Sequence, residues 1–264
     1  MTIGVYVLTR CVRREQLYAS TLLFKTLRDG FPAAEVFVTD NASLLSVRST
    51  IRTAAREAGA RFRQYERPIS HAEHIAHCFA TAGHETIAFV DPDICLWRNV
   101  EDWHFSGLIA GRLIPKHLCP MTGMIRHARL HTSFLWVPSV QRLKASLLAL
   151  DRYGNQFDPL RPFSLLQEGQ WHFYDTASAL YLALEREAAC FQQEHLDAYD
   201  HLFAGSSVHR LTDLPGVPSS LFDLHERVKC DHVALRGAWR PQEEYFQTCA
   251  RRLQALNNQS ADSA

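Results

Sequence analysis

Hydrophobic runs of two kinds alternate along the first hundred residues. Ile3-Gly-Val-Tyr-Val-Leu8 contains no charged residue and is rich in β-branched and aromatic side chains, which predicts a strand covered on both faces. From Arg13 to Arg28 apolar positions recur at Leu17, Leu22, Phe24 and Leu27 with basic residues between them, and Asp29-Gly30 ends the segment, which predicts a helix with a glycine stop. A second strand, Glu35 to Thr39, runs into Asp40-Asn41-Ala42-Ser43. Strand, helix and strand within forty residues is the βαβ rhythm of an α/β sheet.

The rhythm continues with a helix over Leu45 to Ala58, a short strand over Ala60 to Tyr65, a helix over His71 to Ala82, and a buried strand Thr86-Ile-Ala-Phe-Val90 that ends in Asp91-Pro-Asp93. Trp97 to Pro120 has no period and reads as loop and short strands. Further on, His131 to Val137 predicts a strand, Leu143 to Leu150 a helix, and Asp151 to Gly169 a long loop of the kind that carries function. Asp175 is placed as the N-cap of a helix running to Glu187, and Ala189 to Gln193 as a short strand. A turn-rich stretch then precedes a last helix over Pro241 to Leu256 and a polar tail, 257–264. With no repeat and no linker, one domain over 1–256 is expected.

Composition narrows the classes. With 47% hydrophobic and 21% charged residues, the 264-residue chain can bury a core without staples. Twenty-eight cations balance twenty-eight anions, so bulk charge points to no nucleic-acid partner. The seven cysteines are odd in number and form no Cys-x-x-Cys pair, which predicts free thiols. Ile3 to Leu8 is too short for a signal peptide and no apolar run reaches about 20 residues, so a soluble, cytoplasmic protein is expected.

The most specific chemical signal is Asp91-Pro-Asp93, two carboxylates at the C-terminal end of a buried strand, where open α/β sheets bind ligands. Hard oxygen ligands in such a pair suit a divalent cation that neutralises a diphosphate; a capped turn beside a solvated Asp is the other reading. His71, His74 and His77 recur every three residues, a spacing that drifts around a helix, and they have no partnering cysteine, so they do not read as zinc ligands. His127 and His131 are equally weak. Trp136, Trp171, Phe173 and Tyr174 could form a sugar platform or serve the core.

The order strand, helix, strand ending in Asp40-Asn41-Ala-Ser43, then strand ending in Asp91-Pro-Asp93 resembles the nucleotide-sugar glycosyltransferases of the GT-A fold, most closely the family-two type. The segment Ser70-His-Ala-Glu-His-Ile-Ala-His77 departs from the family's Asn- and Gly-containing helix, which marks a divergent member. The resemblance implies a mostly parallel twisted sheet flanked by helices, with a Rossmann-like nucleotide-sugar-binding half over 1–105 and an acceptor-binding half over 106–256. It implies that Thr9, Arg10, Asp40, Asp91 and Asp93 bind the donor. Asp91 and Asp93 would also hold Mn²⁺ or Mg²⁺, with His201 the third ligand in preference to His209. Asp175 is implied as the catalytic base of an inverting transfer, capping being its alternative role. The implied partners are a nucleoside-diphosphate sugar, a UDP-sugar foremost, and a hydroxyl acceptor on a glycan, lipid or protein, with peripheral membrane contact allowed. Nucleotidyl transfer to a sugar phosphate is a competing class, but Leu8-Thr-Arg-Cys-Val-Arg-Arg14 lacks the glycines of a triphosphate-cradling loop. A non-catalytic carbohydrate-binding protein is the second competitor.

Overall fold

The computed structural model describes residues 2–12, 17–119, 123–151 and 158–201. The first strands follow the apolar runs: β1 (Ile3–Thr9), β2 (Glu35–Asn41), β3 (Arg61–Tyr65) and β4 (Thr86–Val90) pair in parallel, with α1 (Leu17–Gly30), α2 (Leu45–Glu57) and α3 (His71–Thr81) as crossovers. After β5 (Ile94–Leu96) come β6 (Ile109–Ile114), β7 (His117–Leu118), β8 (Ile125–Arg126), β9 (Arg129–Val137) and α4 (Val140–Asp151). Then follow β10 (Phe163–Gln167), β11 (Gln170–Tyr174), α5 (Ser178–Ala183), β12 (Ala188–Cys190), α6 (Gln193–Leu196) and β13 (Tyr199–His201).

Seven strands make the main sheet in the order β12-β6-β9-β4-β1-β2-β3. Only β9 runs against its neighbours, pairing antiparallel with both β4 and β6. The architecture is therefore α/β with a mostly parallel sheet flanked by helices, as the βαβ pattern predicts. A separate four-stranded sheet, β10-β11-β8-β7, and the pair β13-β5 complete the strands.

Both faces of the main sheet are covered, which is why its central strands are apolar throughout. On one face Val5, Val7, Val36 and Val38 meet Leu23, Leu27 and Phe31 of α1 and its end, and Val47 and Ile51 of α2. On the other, Tyr6, Phe37, Ile87 and Phe89 meet Ile75 and Phe79 of α3, Leu143 of α4 and Leu180 of α5. Gly30 closes α1 against β5 so tightly that an added Cβ would stand 2.6 Å from the Leu96 side chain, which would have to move to admit it. Arg28, one turn earlier, donates to the carbonyls of Phe31, Ala34, Ala58 and Gly59 and so ties the C-terminal ends of α1 and α2 together.

Three sequence expectations change. The stretch read as a loop to Gly169 contains β10, and β10 turns back as β11 through Glu168 and Gly169, both at positive φ. Asp175 does not cap a long helix: α5 starts at Ser178, its N-cap is Ala177, and a 3-10 turn over Glu185–Glu187 replaces its second half. β11, over a stretch for which the sequence predicts no element, uses the alternation of Trp171 and Phe173, a period of two. The expected helix over Pro241 to Leu256 and the tail lie outside the described residues. Cys11, Cys78, Cys95, Cys119 and Cys190 are free thiols, as expected.

His74 accounts for one histidine of the three-residue series. It is buried on α3, with Nε2 3.6 Å from the Cys78 thiol and its ring edge-on to Tyr65. Burial, aided by His71 and His77, pushes its pKa down to about 3. Below about pH 6.5 the unfolded chain takes up a proton here that the folded chain refuses, so stability present above that pH is lost as pH falls, at about 1.4 kcal/mol per pH unit. In His74→Leu, the loss of unfolding free energy between pH 7.5 and pH 5, measured by urea titration, should shrink by about 2 kcal/mol.

Candidate functional site

An open cleft of about 990 Å³ lies at the C-terminal edge of the parallel strands. Leu8 near the end of β1, Arg10 and Val12 after it, Asn41 at the end of β2, and Asp91 and Pro92 after β4 line one side. Because β9 runs the opposite way, its first residues, Arg129 and His131, reach this same edge. The backbone N–H of Asp91 donates to the Ser133 carbonyl at 2.7 Å, which ties the carboxylate turn to β9. Phe163, Ser164, Phe173 and Asp175 of the smaller sheet and the turn after it form the far wall.

At the base, Asp91, Asp93 and His201 each offer one ligand atom, and these lie within 4.8 Å of one another. β13 delivers His201 by pairing it with Ile94 of β5, the residue directly after Asp93, so that His201 Nε2 is 3.3 Å from Asp93 Oδ1. Burial pushes the Asp91 carboxyl up to about 6; Asp93 adds to the rise, while His71 and His201 oppose it. Burial alone would lower His201, but the charges of Asp93 and Asp91 outweigh it and hold the imidazole above its usual value. The two carboxylates repel each other as bare anions, and with the imidazole nitrogen beside them they gain from a cation in their midst. Their donor set, two oxygens and one nitrogen, fits a divalent ion of the Mn²⁺ or Mg²⁺ class.

The other sequence candidates are placed unequally. Arg10 lines the cleft. Thr9 alternates to the opposite side of β1: it is fully buried, and its hydroxyl shares a 2.9 Å hydrogen bond with Ser20 of α1. Asp40 is also fully buried. Its Oδ1 accepts from the Ser43 N–H at 3.3 Å and its Oδ2 lies 3.5 Å from Arg48 Nε, so the carboxylate closes the turn after β2. The neighbouring Asn41 meets the cleft instead, and its amide both donates to the Ile69 carbonyl and accepts from the Ile69 N–H. Asp175 is in the cleft wall, with Oδ1 accepting from the Thr176 N–H at 2.9 Å and Oδ2 3.2 Å from Arg129 Nη2. His209 lies outside the described residues.

Three cleft residues were not singled out by sequence as site residues. His71, at the start of α3, stands 3.6 Å from Asp91 Oδ1. His131 is held by Ser133, whose N–H donates to His131 Nδ1, so Nε2 carries the ring hydrogen; burial, then His201 and Arg129, pushes its pKa down to about 3. Arg129 is buried beside Asp175, and its Nη1 has no hydrogen-bond partner among the described residues. Burial draws its pKa down, Arg126 adds to this, and Asp175 opposes it. The one available signal was the strand predicted from His131 to Val137; that its start reaches the cleft follows from its antiparallel pairing with β4. Of the four aromatic candidates, Trp136 is core, Tyr174 is stacked on both His127 and Phe163, Phe173 lines the cleft, and Trp171 stands out in solvent beyond it.

The sequence matches no protein-family model and no curated protein. Among solved structures, the fold overlaps partly with the bifunctional glycosyltransferase WbbM, at 7% identity and TM-score 0.46, over 72% of this chain and 38% of that one. It overlaps with glycosyltransferase GlyE of Streptococcus pneumoniae TIGR4 at 10% identity and TM-score 0.43, over 83% and 52% of the two chains. The mannosyltransferase PcManGT of Pyrobaculum calidifontis, solved with GDP-Man and Mn²⁺, overlaps at 14% identity and TM-score 0.46, over 99% and 80%. The chain thus spans 38% and 52% of the length of the first two, and overlap at these scores assigns no activity.

The three-ligand base makes a direct prediction for metal alone. Mn²⁺ titrated into the protein should raise its melting temperature and quench the free Mn²⁺ resonance signal. Asp93→Asn should weaken Mn²⁺ affinity by roughly 100-fold, the order expected for losing one charged ligand of a small set.

Proposed function

We propose that this chain is a divalent-metal-dependent glycosyltransferase of the GT-A type, family-two-like, moving a sugar from a nucleoside-diphosphate sugar to a hydroxyl acceptor. The observation that carries the reading is the convergence of Asp91, Asp93 and His201 at the base of a large cleft on the C-terminal edge of a parallel sheet. The Asp40-Asn41-Ala-Ser43 and Asp91-Pro-Asp93 elements at successive strand ends agree with it. Residues 1–105 supply the donor side and 106–256 the acceptor side.

Asp91, Asp93 and His201 would hold the metal, which when bound supplies positive charge to the departing diphosphate. Arg10 lies in the same cleft and adds a permanent cation for the phosphates. Asn41 and Ile69 clamp the loop ahead of α3, and this fixes His71 against Asp91. Asp175, on the far wall, is the base that takes the acceptor hydroxyl proton as the new glycosidic bond forms, with inversion at the sugar carbon. Arg129 orients the Asp175 carboxylate through Oδ2, and the Thr176 N–H fixes Oδ1. A UDP-sugar is the favoured donor.

A panel of nucleoside diphosphates, each with and without Mn²⁺, distinguishes this reading from a carbohydrate-binding protein. One nucleotide should raise the melting temperature only when Mn²⁺ is present, and the rise should vanish in Asp93→Ala. A panel that yields no metal-dependent rise overturns the transferase reading. Asp175→Asn should keep the nucleotide-induced rise yet lose roughly 10³-fold in kcat, measured as nucleoside diphosphate released. Retention of kcat in that variant would remove Asp175 as the base.

A further inference from the structure

The small sheet does more than wall the cleft. Its β10–β11 hairpin ends in a two-residue turn, Glu168 at φ 50° and Gly169 at φ 77°, the geometry that closes tight hairpins without splaying the strands. Leu166 pairs with Trp171 next to this turn, and one step back on the same face Ser164 pairs with Phe173 at the cleft. Leu166 is 58% and Trp171 51% exposed. In the alternate register, Leu165, His172, Ile125 and Leu118 fall in one row across the four strands on the opposite face, and Leu165 and Leu118 are exposed there too. Solvated sheets normally bury one face and present polar residues on the other; this one presents large apolar side chains on both.

The charge around it is equally uneven. From Trp103 to Leu150 there is no Asp or Glu, although the chain as a whole balances its charges. That stretch carries Arg112, Lys116, Arg126, Arg129, Arg142 and Lys144. Lys116, beside β7, is exposed, and Arg126 on β8 lies 5.4 Å from the Phe173 ring. Exposed Leu166 and Trp171 flank a turn whose Glu168 is the one acid on the four-stranded sheet, and Lys116 beside β7 and Arg126 on β8 outnumber it, which matches an anionic lipid surface: the apolar side chains enter the acyl boundary and the cations meet headgroups.

We infer that the four-stranded sheet is a membrane-docking surface for bilayers bearing anionic lipid, through Leu118, Leu165, Leu166 and Trp171 together with Lys116 and Arg126. A glycan platform fits less well, because leucines on two faces offer neither a flat ring nor hydrogen bonds to hydroxyls. Trp171 and Phe173 are two residues apart, so docking brings the cleft mouth within about 7 Å of the lipid. Resting on the transferase reading, this makes the acceptor class a hydroxyl carried on a lipid headgroup.

Flotation of the full chain with vesicles of phosphatidylcholine alone, and of an equimolar mixture with phosphatidylglycerol, tests the docking. The protein should float with the mixed vesicles, and high salt should weaken this. A Leu166→Ser/Trp171→Ser variant should bind at least about tenfold more weakly with its melting temperature unchanged, and Lys116→Gln/Arg126→Gln should bind more weakly with less salt dependence. No flotation of the wild type, or equal flotation of the apolar variant, overturns the inference. So does an apolar variant that melts lower while the wild type never floats, which would assign the patch to the chain's own remaining residues. Loss of affinity for a soluble glycan without any vesicle binding would make it a glycan platform instead. Vesicle binding with no metal-dependent nucleotide effect would sink the transferase reading and leave the docking surface standing.

Discussion

The antiparallel pairing of β9 with β4 is the constraint on which the site depends. A purely parallel sheet would offer at its C-terminal edge only the ends of β1, β2 and β4, and hence Arg10, Asn41 and the Asp91-Pro-Asp93 turn. Reversing one strand beside β4 brings a strand beginning to that edge. Alternation along β9 then puts Arg129 and His131 in the cleft while Phe134 and Trp136 enter the aromatic packing behind the sheet. The Asp91 N–H to Ser133 carbonyl bond holds the two halves of the site in register. The Asp91-Pro-Asp93 turn and the Arg129 and His131 side chains are therefore positioned by one ladder.

The base of the cleft concentrates charge, two carboxylates and two imidazoles within a few ångströms. Asp91 and Asp93 stand two residues apart behind a rigid Pro92, and burial raises the cost of ionising them. His201 and His71 approach from different elements and offset part of that cost. Such an arrangement is poorly explained as a stability device, since buried like charges destabilise a folded chain. It is well explained as a cation seat. The Arg129–Asp175 pair on the opposite wall is already matched in charge.

Much of this was legible from pattern. Apolar runs with a period of two or none marked β1, β2 and β4 to within a residue or two, and the glycine stop at Gly30 marked the end of α1. Asp91 and Asp93 were legible as a carboxylate pair behind a buried strand, and Arg10 and Asp175, which the resemblance implies, line the same cleft. Asp40 shows the limit of that reading: an Asp at a strand end binds a ligand or closes its own turn, and only the position of Arg48 decided for the turn. Thr9 failed to reach the cleft for a simpler reason, that a one-residue step along a strand reverses the side-chain direction.

What the sequence determined by itself was the local grammar: alternating βαβ units, a carboxylate pair behind a buried strand, unpaired thiols and balanced net charge. These depend on neighbours within a few residues, where periodicity and steric preference act. The tertiary structure alone decided the reversed course of β9, the return of His201 to Asp93 through β13, the ion pair between Arg129 and Asp175, and the hairpin in what reads as a loop. Two of these join residues far apart in number, 46 positions for Arg129 with Asp175 and 108 for His201 with Asp93. No local rule encodes such distances, because the free energy that selects them comes from burying whole faces of the sheet together.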